Sequence, residues 1–398
     1  MSRRLTSLNP ALAKLVHDGY ELEFRPGLLL VHGVPYVNSQ REIALGTLVS
    51  ELSMESPDIV GRPGSHQMHF IGEHPCYSDG RLFTPVQHTS GDFDLGNGLH
   101  AQHYFSHKRK DQQGAWVDYE DYYVKVKTYV RAISGQAKIL DPNVDACTHK
   151  VTRWVDDTTP FLYSDTASTR AGILAINERA SVLKLAIVGL GGTGGYVLDF
   201  LAPTYVPEIH LFDGDYLRQH NAFRTPGAIP PDTLARGLRK VEWFAEHYSQ
   251  FRRGVVPHAE MIDEGNVHRL AEFDYVFMCV DRGSSRALIL NQLKDTNTVV
   301  IDCGMGMHVS SGEQKLWGTV RTTTSTAEKR EQAARLMPLA DRDDEIYRSN
   351  IQIIEMNALN AAMAVARWKR LVGMFADDRQ ETESTYNTAL NQLSNKVL

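Results

Sequence analysis

A run of glycines followed by a spaced set of charges carries the chemistry of this sequence. Gly189, Gly191, Gly192, Gly194 and Gly195, with Thr193 among them, fill the stretch AIVGLGGTGGYVLDFLA. An apolar run that reads as a strand precedes them, and one that reads as a helix follows. Glycines at such a turn let backbone N–H groups come close to phosphate, and the helix N-terminus adds positive potential. Asp213 ends the next apolar run, about the right distance on to bind a ribose hydroxyl. The glycine loop by itself does not separate NAD from ATP.

The residues that follow make that separation. In DGDYLRQHNAFR, Asp213 and Asp215 precede Asn221 and Arg224; Lys240 comes in ARGLRKVEW, and Asp281 and Arg286 in FMCVDRGSSR. Hydride transfer needs no such array, because the glycine loop suffices to hold a pyrophosphate. A triphosphate under attack needs its charge neutralised by arginine, lysine and a carboxylate-held magnesium ion. Arg224 and Lys240 suit the β- and γ-phosphates, and Asp281 suits the metal. ATP and Mg2+ are therefore the expected cofactors.

These residues need a scaffold that gathers them at one edge. Leu185–Val188, Ile209–Phe212, Tyr275–Val280 and Val299–Ile301 are short apolar runs alternating with helical patterns, which predicts a doubly wound α/β sheet. Ligands of such sheets bind beyond the carboxyl ends of the strands, where these side chains fall. The polar stretch from about 308 to 348 reads as a mobile or partner-dependent loop. A long helix, NIQIIEMNALNAAMAVARWKRLVGMF, is apolar over most of its surface and is expected to lie buried between layers.

The chain divides near residues 140–165, giving residues 1–150 as a smaller α+β domain and 151–398 as the nucleotide domain. The first domain combines strand-like runs (LLLVHGVPYV, QMHFIGEHP) with a helix at about 119–133. In that helix Tyr122, Val126, Tyr129 and Ile133 share an apolar face. Hydrophobic residues at 42% and charged residues at 23% are ordinary for a globular protein with a real core. A net charge of −6 argues against a nucleic-acid binder. No apolar stretch is long enough to span a membrane and the N-terminus has no secretory pattern, so a soluble, reducing compartment such as the cytoplasm is expected. Cys76, Cys147, Cys279 and Cys303 form no C-x-x-C pair, and no structural zinc is expected.

The pattern G-x-G-G-x-G-G, D-x-D-x5-N-x2-R, a lysine and C-x-D-x4-R resembles the ThiF/MoeB-type activating enzymes of ubiquitin-like proteins. The resemblance covers residues 165–375 or so. It implies a Rossmann-like adenylation domain that activates the C-terminal glycine of a ubiquitin-like partner, with a conjugating-enzyme-like protein as a further partner. It also implies that Asp213 binds ribose, that Asn221, Arg224 and Lys240 contact phosphates, and that Asp281 holds magnesium. Arg170 resembles the family's arginine finger, which in a homodimer reaches the partner's site, and residues 308–348 take the place of its crossover loop. The flanks differ: His220–Thr225 reads H-N-A-F-R-T where the family has S-N-L-x-R-Q. Fused N-terminal domains of this kind resemble those of prokaryotic ubiquitin-like systems, some of which serve antiviral defence.

Other readings compete. The domain could be a nucleotide-holding scaffold that recruits a ubiquitin-like protein without chemistry, an adenylase for another carboxylate, or an NAD-binding oxidoreductase. Cys76, next to His74-Pro75, is a candidate thioester cysteine, set against the plainer reading of a turn after a strand. His66, His69 and His74 with Cys76 form a metal candidate whose spacing mixes strand and turn geometry.

Overall fold

Apolar runs and alternating apolar residues together build the first unit around an antiparallel sheet. The computed structural model describes residues 5–6, 8–56, 59–96, 98–110, 113–150, 159–163, 165–310, 312, 314–341 and 351–397, with the backbone alone at 166, 169 and 170. It divides into one unit of Met1–Asp156 with Tyr163–Leu174 and another of Asp157–Leu162 with Ala175–Leu398.

The first unit opens with α1 (Pro10–Asp18), which starts on a proline, favoured there because its missing N–H is not needed. The helix ends at Gly19, whose φ of +96° suits glycine. The main sheet has six strands: β1 (Glu21–Arg25), β2 (Leu28–Val37), β3 (Ile43–Glu51), β4 (Gln67–Ile71), β5 (Gln87–Asp94) and β6 (His100–Ser106). They pair antiparallel in the order β1-β2-β3-β4-β6-β5. The helix α2 (Tyr122–Leu140) is capped by the Asp121 carboxylate, which accepts from the Val124 N–H at 2.8 Å. Tyr122, Val126, Tyr129 and Ile133 are all buried, and they share one core with Leu29, Val31, Leu48, Phe70 and Phe105. The expected apolar face is therefore the packed one, and strands outweigh helix in this unit.

The second unit is the doubly wound sheet. Its elements are β7 (Lys184–Val188), α3 (Gly192–Leu201), β8 (Glu208–Phe212), α4 (Lys240–Tyr248), β9 (Val255–His258), β10 (Tyr275–Met278), α5 (Gly283–Gln292), β11 (Val299–Val309), β12 (Leu316–Ser325), α6 (Ile354–Leu371), β13 (Glu383–Asn387) and β14 (Gln392–Lys396). Strand order is β9-β8-β7-β10-β11-β12-β13-β14. Pairings from β9 to β11 are parallel and those from β11 to β14 antiparallel. The order reverses direction at β7, which makes the crevice beyond β7 and β10 the expected ligand site. As expected, α6 is backed into the structure, against α3, β11 and β12. Among the described residues no helix is long and apolar enough to cross a membrane.

One expectation is corrected. Residues 308–309 and 316–325 are strand in the structure: β11 and β12 form a hairpin with register Val309↔Leu316 to Val300↔Ser325. The threonine run misleads because its hydroxyls are satisfied inside. Thr322 donates to Asn360 Oδ1, Thr323 to Glu383, and Thr324 accepts from Arg367, all of them buried. Further along the expected crossover loop (308–348), Ala327–Lys329 and Arg330–Ala334 are short helices, and residues 342–348 lie outside the described residues.

Within the first unit, Lys125 on α2 is buried at 1% exposure, its ammonium donating to Ser50 Oγ at 2.8 Å. Burial depresses its pKa from the ordinary 10.5 to about 8, with Glu51 opposing. Between those two values the unfolded chain keeps the proton and the folded chain does not, so stability rises with pH across that window. Urea midpoints followed by near-UV circular dichroism should climb from pH 8 to 10, a gain on the order of 2–3 kcal/mol in the limit. Lys125→Met should be more stable than the parent at pH 7 and should lose that climb.

Candidate functional site

The glycine loop is shaped by what surrounds each glycine. A Cβ on Gly189, at φ +91°, would sit 2.7 Å from the Cys279 carbonyl oxygen, and one on Gly194 would strike the Gly189 carbonyl. A Cβ on Gly195 would meet the Phe244 ring at 2.8 Å. Those glycines let strand, loop and helix pack. Gly191 differs: a Cβ there would meet nothing within 4 Å, so its surface faces open space. Gly191 is also the N-cap of α3, and no side chain caps that helix. The first-turn N–H groups thus keep their positive potential for an outside anion.

Asp213 fastens this loop. Its carboxylate accepts from the Leu190 N–H at 2.7 Å and from the Asp215 N–H at 2.8 Å. The Lys240 ammonium lies 3.3 Å from Asp213 and 2.7 Å from Asp215. Asp213 is 5% exposed and has its donors inside, whereas the Asp215 side chain is 55% exposed. The accessible carboxylate is therefore Asp215. Asn221 is buried at 1% exposure, and its Oδ1 accepts from the Arg218 N–H at 2.7 Å, closing a short helical turn. In this arrangement the Asn221 side chain shapes the turn that carries Arg224.

Arg224 keeps an unsatisfied donor. Its Nε is buried and has no hydrogen-bond partner among the described residues. Burial lowers its pKa from the usual arginine range, and the nearby Asp281 charge opposes that. His220 is held below the ordinary histidine value, first by desolvation and then by the charges of Arg224, Lys240 and Arg218. Three cations thus gather around one turn beside the glycine loop. Asp281 is exposed, at the start of the segment leading into α5.

The backbone under Asp281 is held by a residue whose role the sequence left open. Arg286 is buried, donates through Nε to Asp302 Oδ1 at 2.9 Å, and reaches the carbonyls of Val280 and Asp281. Asp302, fully buried, also accepts from Arg321. Arg286 thus positions the loop instead of facing a ligand. Asp302 was legible as a lone charge in the apolar run VVIDCG, which requires a buried partner. Asn357 and Asn360, both fully buried on α6, were missed; amides on the packed face of an alanine-rich helix are the available signal.

The other expected residues belong to the first unit. Arg170 falls in the short helix Thr166–Ala171, and its side chain is outside the described residues. Cys76 is 1% exposed, bridged to Val37 and Leu82, and burial raises its thiol pKa. Such a thiol is neither accessible nor readily ionised, so the thioester reading of Cys76 is not supported. His66 bonds to Ser106 while His69 lies against Tyr104, and no group of three or more metal-ligating side chains occurs among the described residues. An open cavity of about 720 Å³ adjoins the turn after Asp215, lined by Tyr216, Leu217, Pro231 and Leu234 among others. It is mainly apolar, and Asp213, Arg224, Lys240 and Asp281 do not line it.

Strand order, glycine turn and uncapped helix together define a nucleotide-binding, doubly wound domain. The chain belongs to the ThiF family, which matches residues 166–395, and it carries that family's adenylation fold. Residues 10–166 match a domain of unknown function, DUF6791. No curated protein matches the chain. Among solved structures it is similar to E. coli MccB with MccA-N7isoASN, at 17% identity over 58% of this chain and 69% of that one, TM-score 0.47. It is also similar to E. coli MccB with ATP, at 17% identity over 56% and 66%, TM-score 0.43. A third is the E. coli tRNA N6-threonylcarbamoyladenosine dehydratase TcdA with AMP, at 18% identity over 52% and 92%, TM-score 0.39.

Removing the Asp302 carboxylate strands two arginines. Asp302→Ala should destabilise the second unit by about 3–5 kcal/mol, the cost of an uncompensated buried charge. The exposed Asp281→Ala should stay within about 0.5 kcal/mol. Urea unfolding of the three proteins side by side checks both values.

Proposed function

We propose that this chain uses ATP and Mg2+ to adenylate the C-terminal glycine of a ubiquitin-like protein. The observation that carries the reading is Arg224, a half-buried guanidinium with a partnerless Nε near enough to Asp281 to feel its charge. Buried donors without acceptors are costly, and a polyphosphate supplies the missing acceptors. The uncapped N-terminus of α3 asks for the same anion.

In this reading the N–H groups from Gly191 to Gly194, with Thr193, hold the phosphates, and Asp215 takes the ribose hydroxyls. Asp213 acts from beneath, holding the loop and Lys240, while Asn221 orders the turn of Arg224. Arg224 and Lys240 neutralise charge as the partner's carboxylate oxygen attacks the α-phosphorus. The bond from that phosphorus to the bridging oxygen breaks, and pyrophosphate leaves with the electron pair. Proximity and charge stabilisation suffice, with no side-chain nucleophile. Asp281 is a suitable magnesium ligand, since that ion is commonly held by one or two carboxylates together with the phosphates. Magnesium, when bound, withdraws charge from the leaving pyrophosphate. A homodimer with Arg170 reaching across belongs to the same reading, as does a division into a domain of residues 1–150 and an adenylation domain of residues 151–398.

ATP–pyrophosphate exchange tests this. Exchange should require magnesium and a ubiquitin-like protein, and should stop when the partner's last glycine is deleted. Arg224→Ala and Asp281→Ala should each lower exchange by roughly 100-fold or more, with unchanged melting temperatures. Exchange indifferent to the terminal glycine would remove that substrate from the proposal; ATP binding without exchange would favour a scaffold.

A further inference from the structure

The first turn of α3 leans on a residue more than 160 positions away. Asn357, in the first turn of α6, is fully buried, and its Oδ1 accepts the Thr193 hydroxyl at 2.9 Å. Its Nδ2 lies 2.1 Å from where a Cβ on Gly192 would stand, so glycine is required there to admit the amide. That same Nδ2 has no hydrogen-bond partner among the described residues.

An unpaired buried amide donor costs about 1–3 kcal/mol. Leucine has nearly the same shape and would fill the space without that cost, so packing alone does not call for asparagine. What the amide does, and leucine does not, is take the Thr193 hydroxyl. The Thr193 side chain is thereby fixed toward α6 beside the one glycine of the loop, Gly191, that faces open space. We infer that Asn357 is a positioning residue for the nucleotide loop. It locks Thr193 and the start of α3 so that the uncapped N–H groups converge on phosphate. The inference rests on the reading that this loop binds ATP.

The test compares the full-length chain with Asn357→Leu, Thr193→Val and the double variant, measuring ATP and adenosine affinity by calorimetry and folding by melting temperature. Each single change should weaken ATP about tenfold, as one lost hydrogen bond implies. Adenosine affinity should not change, and the double variant should be no worse than either single one. Asn357→Leu should melt no lower than the parent, which separates positioning from simple support of the fold. Asn357→Ser, too short to reach Thr193, supplies the same readout should the leucine variant not fold. Parental ATP affinity in Asn357→Leu, losses that multiply in the double variant, or an equal loss for adenosine would each overturn the inference while leaving ATP binding intact. A parent that binds no ATP would overturn the nucleotide reading and this inference together.

Discussion

One buried carboxylate organises the nucleotide half of the chain. Asp213 sits at the end of β8 and must have partners, because a charge removed from water is tolerated only when paired and hydrogen-bonded. It finds them in three places: the glycine loop through Leu190, the following turn through Asp215, and the start of α4 through Lys240. That single requirement brings β7, β8 and α4 to one point. The glycines then do the rest, since only they let β7, β10 and α3 approach as closely as this anchor demands.

A second buried carboxylate answers the first from across the sheet. Asp302 on β11 takes Arg286 from α5 and Arg321 from β12, and Arg286 passes the constraint on to the carbonyls under Asp281. Both anchors are fully engaged. Buried polar atoms without a partner among the described residues include the Arg224 Nε and the Asn357 Nδ2, along with the Nε atoms of Arg321, Arg330 and Arg367. The Asn357 amide borders the glycine loop through Thr193, and the uncapped α3 begins there, which supports the nucleotide site proposed above.

The sequence made the nucleotide domain legible because its signals are local. Strand, glycine turn, helix and Asp213 follow one another within a short stretch, and the charges after them keep a fixed spacing. It was less informative where polarity and burial part company. The threonines of β12 look solvent-facing, yet Thr322, Thr323 and Thr324 are buried and bonded to Asn360, Glu383 and Arg367. Asp213 reads as a ligand by position, but its donors are already inside the protein, and Asp215 has the exposed carboxylate. Asn357 was beyond reach, since nothing near it in sequence announces a partner at Thr193. In the first unit the apolar face of α2 was readable from its spacing, whereas the buried Lys125 on that same helix was not.

The most direct test is a crystal structure of the chain with a non-hydrolysable ATP analogue and magnesium. The account predicts phosphates at the N-terminus of Gly192–Leu201, the Arg224 guanidinium bonded to them, and the ribose hydroxyls on Asp215. A nucleotide bound elsewhere, or phosphates at the loop with Arg224 still unpartnered, would contradict it.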